Sequence, residues 1–175
     1  MAGLALVAAA VVLQPLPAAV DLPDRAGGSC PVAPPGYLAG RIYGDLELEL
    51  DWRGRRLRCE GMLRPDNGLR LMFGGPLDAA GGEATIIIGI SGQLAGLPGT
   101  ERPANVTVVD ERNGRFYASA GQGRCWTRVA AADPAGAREF RIAGNLYCAG
   151  ALPALQDSGS LTLGDLSYAG RLVVE

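Results

Sequence analysis

The sequence predicts an all-β protein: an antiparallel β-sandwich of about ten strands, jelly-roll or barrel-like in outline, stapled by two disulfides. Three observations carry that expectation. The 26 glycines and 12 prolines cut the chain into short apolar or alternating segments. No window keeps apolar residues at i, i+3, i+4 and i+7 for three turns, so no long amphipathic helix is expected. Four cysteines, Cys30, Cys59, Cys125 and Cys148, lack CxxC spacing in a chain without histidine. That pattern suits disulfides in an oxidising compartment better than a zinc site.

Residues 4–13 form an uncharged apolar run, followed by Gln14-Pro15-Leu16-Pro17 and the small residues Ala18 and Ala19. The run is about half the roughly 20 residues that a membrane-spanning helix needs, which predicts a secretory signal peptide over 1–19. No Lys or Arg precedes it. A lipid anchor is not expected, because Cys30 sits behind the charged segment 21–25 and not directly after the apolar run. Residues 20–35 read as an extended arm tied down by Cys30. Residues 36–175 have the length of one domain that buries a full core. The expected product is a periplasmic or secreted protein with no membrane span after cleavage.

The clearest strand is expected over 42–52, where Ile42, Leu46, Leu48, Leu50 and Trp52 alternate with Asp45, Glu47, Glu49 and Asp51. A two-residue turn at Arg53-Gly54 would set a hairpin with a strand over 55–63. It places Asp51 beside Arg56, Glu49 beside Arg58, Leu50 beside Leu57 and Leu48 beside Cys59. Arg64-Pro65-Asp66-Asn67-Gly68 reads as a turn with Gly68 in the left-handed position, leading into strand 69–73 with Leu63 opposite Leu71. Residues 85–90, apolar on both faces, read as a central strand. Strands 106–110 and 115–119 form a hairpin around Arg112-Asn113-Gly114, and strands 125–130 and 139–148 flank the turn Asp133-Pro134-Ala135-Gly136. A single helical turn fits 152–156, and strands 160–163 and 169–174 close the chain.

Cys125 and Cys148 lie on either side of the 133–136 turn, so an antiparallel hairpin can bring them face to face. Four cysteines allow three connectivities. This register favours Cys125 with Cys148, leaving Cys30 with Cys59. It also sets Trp126 opposite Tyr147 and Arg128 opposite Asn145, on the face away from Thr127, Val129, Phe140, Ile142 and Leu146.

The chain has neither histidine nor lysine, and its sixteen cations are all arginine, spread along a sequence of net charge −2. Catalytic Ser-His-Asp and Cys-His systems, Ser-Lys dyads, Schiff-base lysines and histidine metal ligands are excluded. There is no basic stripe for nucleic acid. No cofactor and no metal is expected. Carboxylate chemistry remains: the 53–54 turn would set Glu47 opposite Glu60 at about 5 Å, the spacing of a retaining glycoside hydrolase. The bland reading of that pair is a solvated face neutralised by Arg58. Asp45, Glu47 and Glu49 offer oxygens to calcium, but from a flat strand beside arginines instead of a wrapping loop. Asn105-Val106-Thr107 matches the N-glycosylation sequon, a short motif common by chance.

The surface that stands out is aromatic. Trp126, Tyr147, Arg128, Asn145 and Arg141 are expected to point outward together, with Tyr117 from the preceding hairpin as a further member. Flat aromatics beside amide and guanidinium donors stack on sugar rings or anchor a protein partner. The same pair also serves as a cross-strand clamp on the sheet. The sequence favours a non-enzymatic binding or interaction module of the cell envelope or secreted space, with a protein or glycan partner. A carboxylate glycoside hydrolase and a structural envelope component are the alternatives.

Overall fold

The computed structural model describes residues 29–78, 81–119, 121 and 123–174, so the expected signal peptide and most of the 20–35 arm lie outside the described residues. No helix among the described residues is long and apolar enough to cross a membrane. The strands are β1 (Tyr37–Gly44), β2 (Leu48–Arg53), β3 (Arg58–Leu63), β4 (Leu69–Pro76), β5 (Glu83–Ile90) and β6 (Glu101–Asp110). They continue with β7 (Arg115–Ala118), β8 (Cys125–Gly136), β9 (Glu139–Cys148), β10 (Leu152–Pro153), β11 (Ser160–Leu163) and β12 (Leu166–Val173). The all-β expectation holds, and both disulfides form as paired in the sequence analysis, Cys30–Cys59 and Cys125–Cys148.

Of the expected outlines the barrel-like one is found, and a sandwich is not clearly formed: the strands close into a ring of seven. The ring runs β3-β4-β5-β6-β8-β9-β12 and shuts where β12 meets β3. Six of its junctions are antiparallel, so strand direction reverses six times and the last strand must run the same way as the first. The seam is accordingly parallel, with Val173 opposite Met62. Gly61 makes the close approach there: a Cβ would collide with the Arg171 carbonyl oxygen.

Two ring strands change neighbours along their length. β6 gives residues 101–104 to β8 and 107–110 to β7, while β12 gives 167–169 to β1 and reaches β3 only at its end. A strip of the remaining strands spans these branch points: β7, a bridge at Ala154, β10, β11, β1 and β2. Its inward side chains, Leu38, Ile42, Leu48, Leu50 and Trp52, join one buried cluster with Phe73, Ile86, Ile88, Val108, Ile142 and Tyr168. Each such aliphatic or aromatic side chain removed from water contributes roughly 1.5–3 kcal/mol. Trp52 lies over Gly75, where a Cβ would overlap the indole, and its Nε1–H donates to the Pro76 carbonyl at 3.0 Å. Inside the ring the Phe73 and Tyr168 rings meet at 5.9 Å, and the Tyr168 and Thr127 hydroxyls share a hydrogen bond of 2.7 Å.

Several local expectations change. The stretch 42–52 is not one strand; it reverses after Gly44, whose φ of +106° only glycine adopts freely, and β1 and β2 pair with Ile42 opposite Leu48. The inward set of 42–52 survives, because that turn preserves the alternation. The Arg53-Gly54 hairpin does not form. Gly54–Arg56 is a 3₁₀ turn that carries the chain away from β2, and β3 pairs with β4. The ion pairs are therefore Arg41–Glu49, Arg53–Asp51 and Arg58–Glu83, not Asp51–Arg56 and Glu49–Arg58. In the 64–68 turn Asn67, not Gly68, takes the positive φ of 62°, so Leu63 faces Leu69 instead of Leu71. A two-residue shift preserves the alternation of the strands, but Leu63, at the end of the hairpin, is exposed and not part of the core. The 152–156 segment holds the short strand β10 and no helical turn, since the Ala154 and Leu155 N–H groups bond outward to Gly159 and Phe116. The 133–136 turn does not form: β8 runs on through Gly136, with bulges that take up the extra residues, and the chain reverses at Ala137-Arg138. The central strand, the 106–119 hairpin and the 160–163 strand are found, and the last strand begins at Leu166.

Candidate functional site

The β8–β9 hairpin positions the aromatic residues. Cys125 faces Cys148, Trp126 faces Tyr147 and Arg128 faces Asn145, the register expected from the sequence. Thr127, Val129, Ile142 and Leu146 are buried, so the intervening residues are turned outward. The Trp126 and Tyr147 rings stack with centroids 5.5 Å apart and planes 22° from parallel. Tyr147 is 40% exposed and Trp126 is half-buried. The Cys125–Cys148 disulfide lies in the adjacent inward row and fixes the separation of the strands beneath the pair.

A polar row crosses four strands beside the rings. Glu101 of β6 faces Arg128, Arg128 faces Asn145, and Asn145 faces Ser167 of β12. A groove of about 350 Å³ opens where this row meets the aromatics, lined by Asn145, Tyr147, Asp165 and Ser167 with the backbone around Leu146 and Leu166. Desolvation, then the charge and hydrogen bond of Glu101, push the Tyr147 phenol above its usual range, with Arg128 acting against them. Tyr147 therefore keeps its proton at neutral pH and can donate it as a hydrogen bond. The site offers donors, acceptors and flat apolar area together.

Pro103 explains how β6 reaches this site. It faces Trp126 in the ladder, and its carbonyl accepts from the Ser91 N–H on the β5 side. A residue's N–H and C=O point to the same side of a strand, so the missing donor of Pro103 also faces that side, beyond the end of β5. The pairing with β8 loses no hydrogen bond.

Trp126, Tyr147, Arg128 and Asn145 are brought together as expected. Arg141 is on the same hairpin but near the other end of β9, about 20 Å along the strand, where its Nε–H donates to the Pro34 carbonyl at 3.0 Å. Tyr117 does not join them. It is 1% exposed and packs into the core between Val108 and the Ala154 bridge, with its hydroxyl 3.5 Å from Asp45 Oδ2. Desolvation raises its phenol pKa, with the nearby Arg115 guanidinium opposing. Glu47 and Glu60 are not a cross-strand pair: Glu47 sits in the β1–β2 turn, while Glu60 faces Met72 on β4. Asp45 is taken by Arg115 at 2.8 Å and Glu49 by Arg41 at 2.8 Å. Among the described residues no group of three or more acidic, cysteine or histidine side chains could hold a metal ion. Asn105 and Thr107 of the sequon point outward from β6, opposite Gly89 and Ile87.

Glu101, Asp165 and Ser167 belong to the site and were not expected there. Pro103 hides the first half of β6, since a proline argues against a paired strand. The pairing of β12 with β9 joins segments some twenty residues apart, and no local signal announces it. No family model, curated protein or solved structure matches the chain.

Proposed function

We propose that this protein is an exported, non-enzymatic binding module that recognises a glycan through the outer face of β8, β9 and β12. The observation that carries the reading is the stacked Trp126–Tyr147 pair beside a groove lined by Asn145, Asp165 and Ser167. A sugar ring has an apolar face that packs on an aromatic and an equatorial rim of hydroxyls that needs both donors and acceptors. Tyr147 supplies the first surface. Asn145 and Ser167 supply donors and acceptors, and Asp165 accepts. A dry protein interface would call for a flatter and more apolar patch.

Export is supported by two closed disulfides, which persist in oxidising compartments, and by the apolar run at residues 4–13. The absence of histidine and lysine fits binding better than catalysis. The test is retention on gels cast with soluble polysaccharides of different backbone linkage, compared between the native protein and W126A, Y147A and the double variant. At least one polysaccharide should retard the native protein, each single substitution should weaken that about tenfold, equal to about 1.4 kcal/mol, and the double variant should run freely. Retardation that survives the double substitution would place the ligand elsewhere.

A further inference from the structure

We propose that the outer face of β3 to β6 is a second site, one that holds a single-chain amphiphile with an anionic head, of the fatty-acid carboxylate class. The registers build it: Met62 faces Arg70, Arg70 faces Gly89, and one row further along Met72 faces Ile87. Gly89 has no side chain, so a trough opens between its neighbours. The Arg64 guanidinium lies over it, with Nη1 3.1 Å from where a Cβ would stand. The resulting groove measures about 440 Å³, within the range of small-molecule sites.

The lining is unusual for a solvated sheet face. Met62 is 53% exposed and Leu63 38%, and Ile87 forms part of the floor. Methionine is flexible and polarisable, suited to an alkyl chain with no fixed shape. The charges in the groove lining are of one sign, Arg64 and Arg70, and no carboxylate lines it; Glu60 lies outside the lining, opposite Met72. Asp66 pairs with Arg64 Nη2 at 3.0 Å from the turn, which leaves Nη1 directed at the trough. Arg70 makes no ion pair with any described residue. An alkyl chain over Met62 and Ile87 with its carboxylate between the two guanidinium groups satisfies both halves of the groove. A cationic head on the same chain would meet two like charges.

Calorimetric titration with sodium dodecanoate, below its micelle concentration, tests this against dodecyltrimethylammonium bromide and sodium acetate. One equivalent of dodecanoate should bind, the cationic amphiphile at least tenfold more weakly, and acetate not detectably. R70E and M62E, both surface changes, should each weaken dodecanoate at least tenfold without moving the thermal midpoint, while W126A/Y147A should leave it unchanged. Equal affinity for the two amphiphiles would reduce the groove to a generic apolar patch. Acetate binding as well as dodecanoate would make it an anion site only. No saturable binding, or binding untouched by R70E and M62E, would also overturn the proposal. If M62E shifts the midpoint, R70E decides.

Discussion

One strand serves two surfaces. The outward residues of β6 run Glu101, Pro103, Asn105, Thr107 and Val109: the first two border the stacked aromatics on β8 and β9, and the next two line the methionine-rich groove on β3 to β5. The aromatic face is built from rigid rings held by pairing on both sides and crossed by groups of both charge signs. The groove face is built from flexible aliphatics around a glycine, with Asn105 and Thr107 along one side and arginine as the charge in its lining. Each has a disulfide in or beside its inward row, Cys125–Cys148 under the rings and Cys59, bonded to Cys30, on the strand that carries Met62. The same ladder thus presents a preorganised surface for a polar, flat ligand and an adaptable one for an apolar chain. What differs is the side chain at each outward position.

Removing a disulfide should break this comparison most strongly. The sequence separations of 29 and 23 residues are each worth roughly 3 kcal/mol in chain entropy, so C30A/C59A and C125A/C148A should each lower the melting temperature by about 10 °C. The losses of function should diverge: C125A/C148A weakens polysaccharide retention more, and C30A/C59A weakens dodecanoate binding more. Equal loss of both in both variants would mean that the faces are not separately supported.

Alkaline pH acts on the wall behind the aromatic face. Burial pushes the Tyr168 phenol up to about 12, with the Thr127 hydrogen bond opposing. The folded state therefore keeps its proton to higher pH than the unfolded chain, whose tyrosines titrate near 10. The corresponding stability is intact below pH 10 and is lost as pH rises to 12, about 3 kcal/mol in all. Denaturant melts across that range should show the fall, and Y168F should flatten it.

Y168F at neutral pH should cost about 1 kcal/mol, by removing the hydroxyl that meets Thr127 at 2.7 Å. Thr127 lies between Trp126 and Arg128, so polysaccharide retention should weaken while dodecanoate binding stays. W126A alone should cost about 0.5–1.5 kcal/mol for the aromatic pair, on top of the lost burial of its half-buried indole. M62E should change stability by less than about 0.5 kcal/mol, as an exposed position allows.

The hairpin of β8 and β9 was readable from the sequence because its two cysteines and its alternation specify the same register, even though the chain reverses at Ala137-Arg138 and not over 133–136. The first three strands were not. In 42–52 the alternation of apolar residues continues through a reversal, so the pattern alone cannot show where the chain turns. Gly44 followed by Asp45 was the available signal, and the charged pairs available across Arg53-Gly54 outweighed it. Closure of the ring was invisible for a different reason: the β12–β9 and β12–β3 junctions are set by packing of the whole wall and leave no local mark. The candidate site follows the same division. Trp126, Tyr147, Arg128 and Asn145 come from one local hairpin and were legible, while Glu101, Asp165 and Ser167 arrive from strands whose pairing is long-range. Tyr117 was misplaced because an alternating hairpin does not reveal which of its faces will be covered, and here a strip of further strands covers it.

The central claim, that the aromatic pair contacts the ligand, is most directly tested by acrylamide quenching. The chain has two tryptophans, and Trp52 is fully buried, so collisional quenching reports Trp126. Saturation with a retained oligosaccharide should lower the quenching constant at least twofold, because the sugar covers the indole or its stacked partner. An unchanged constant at demonstrated saturation would contradict the assignment.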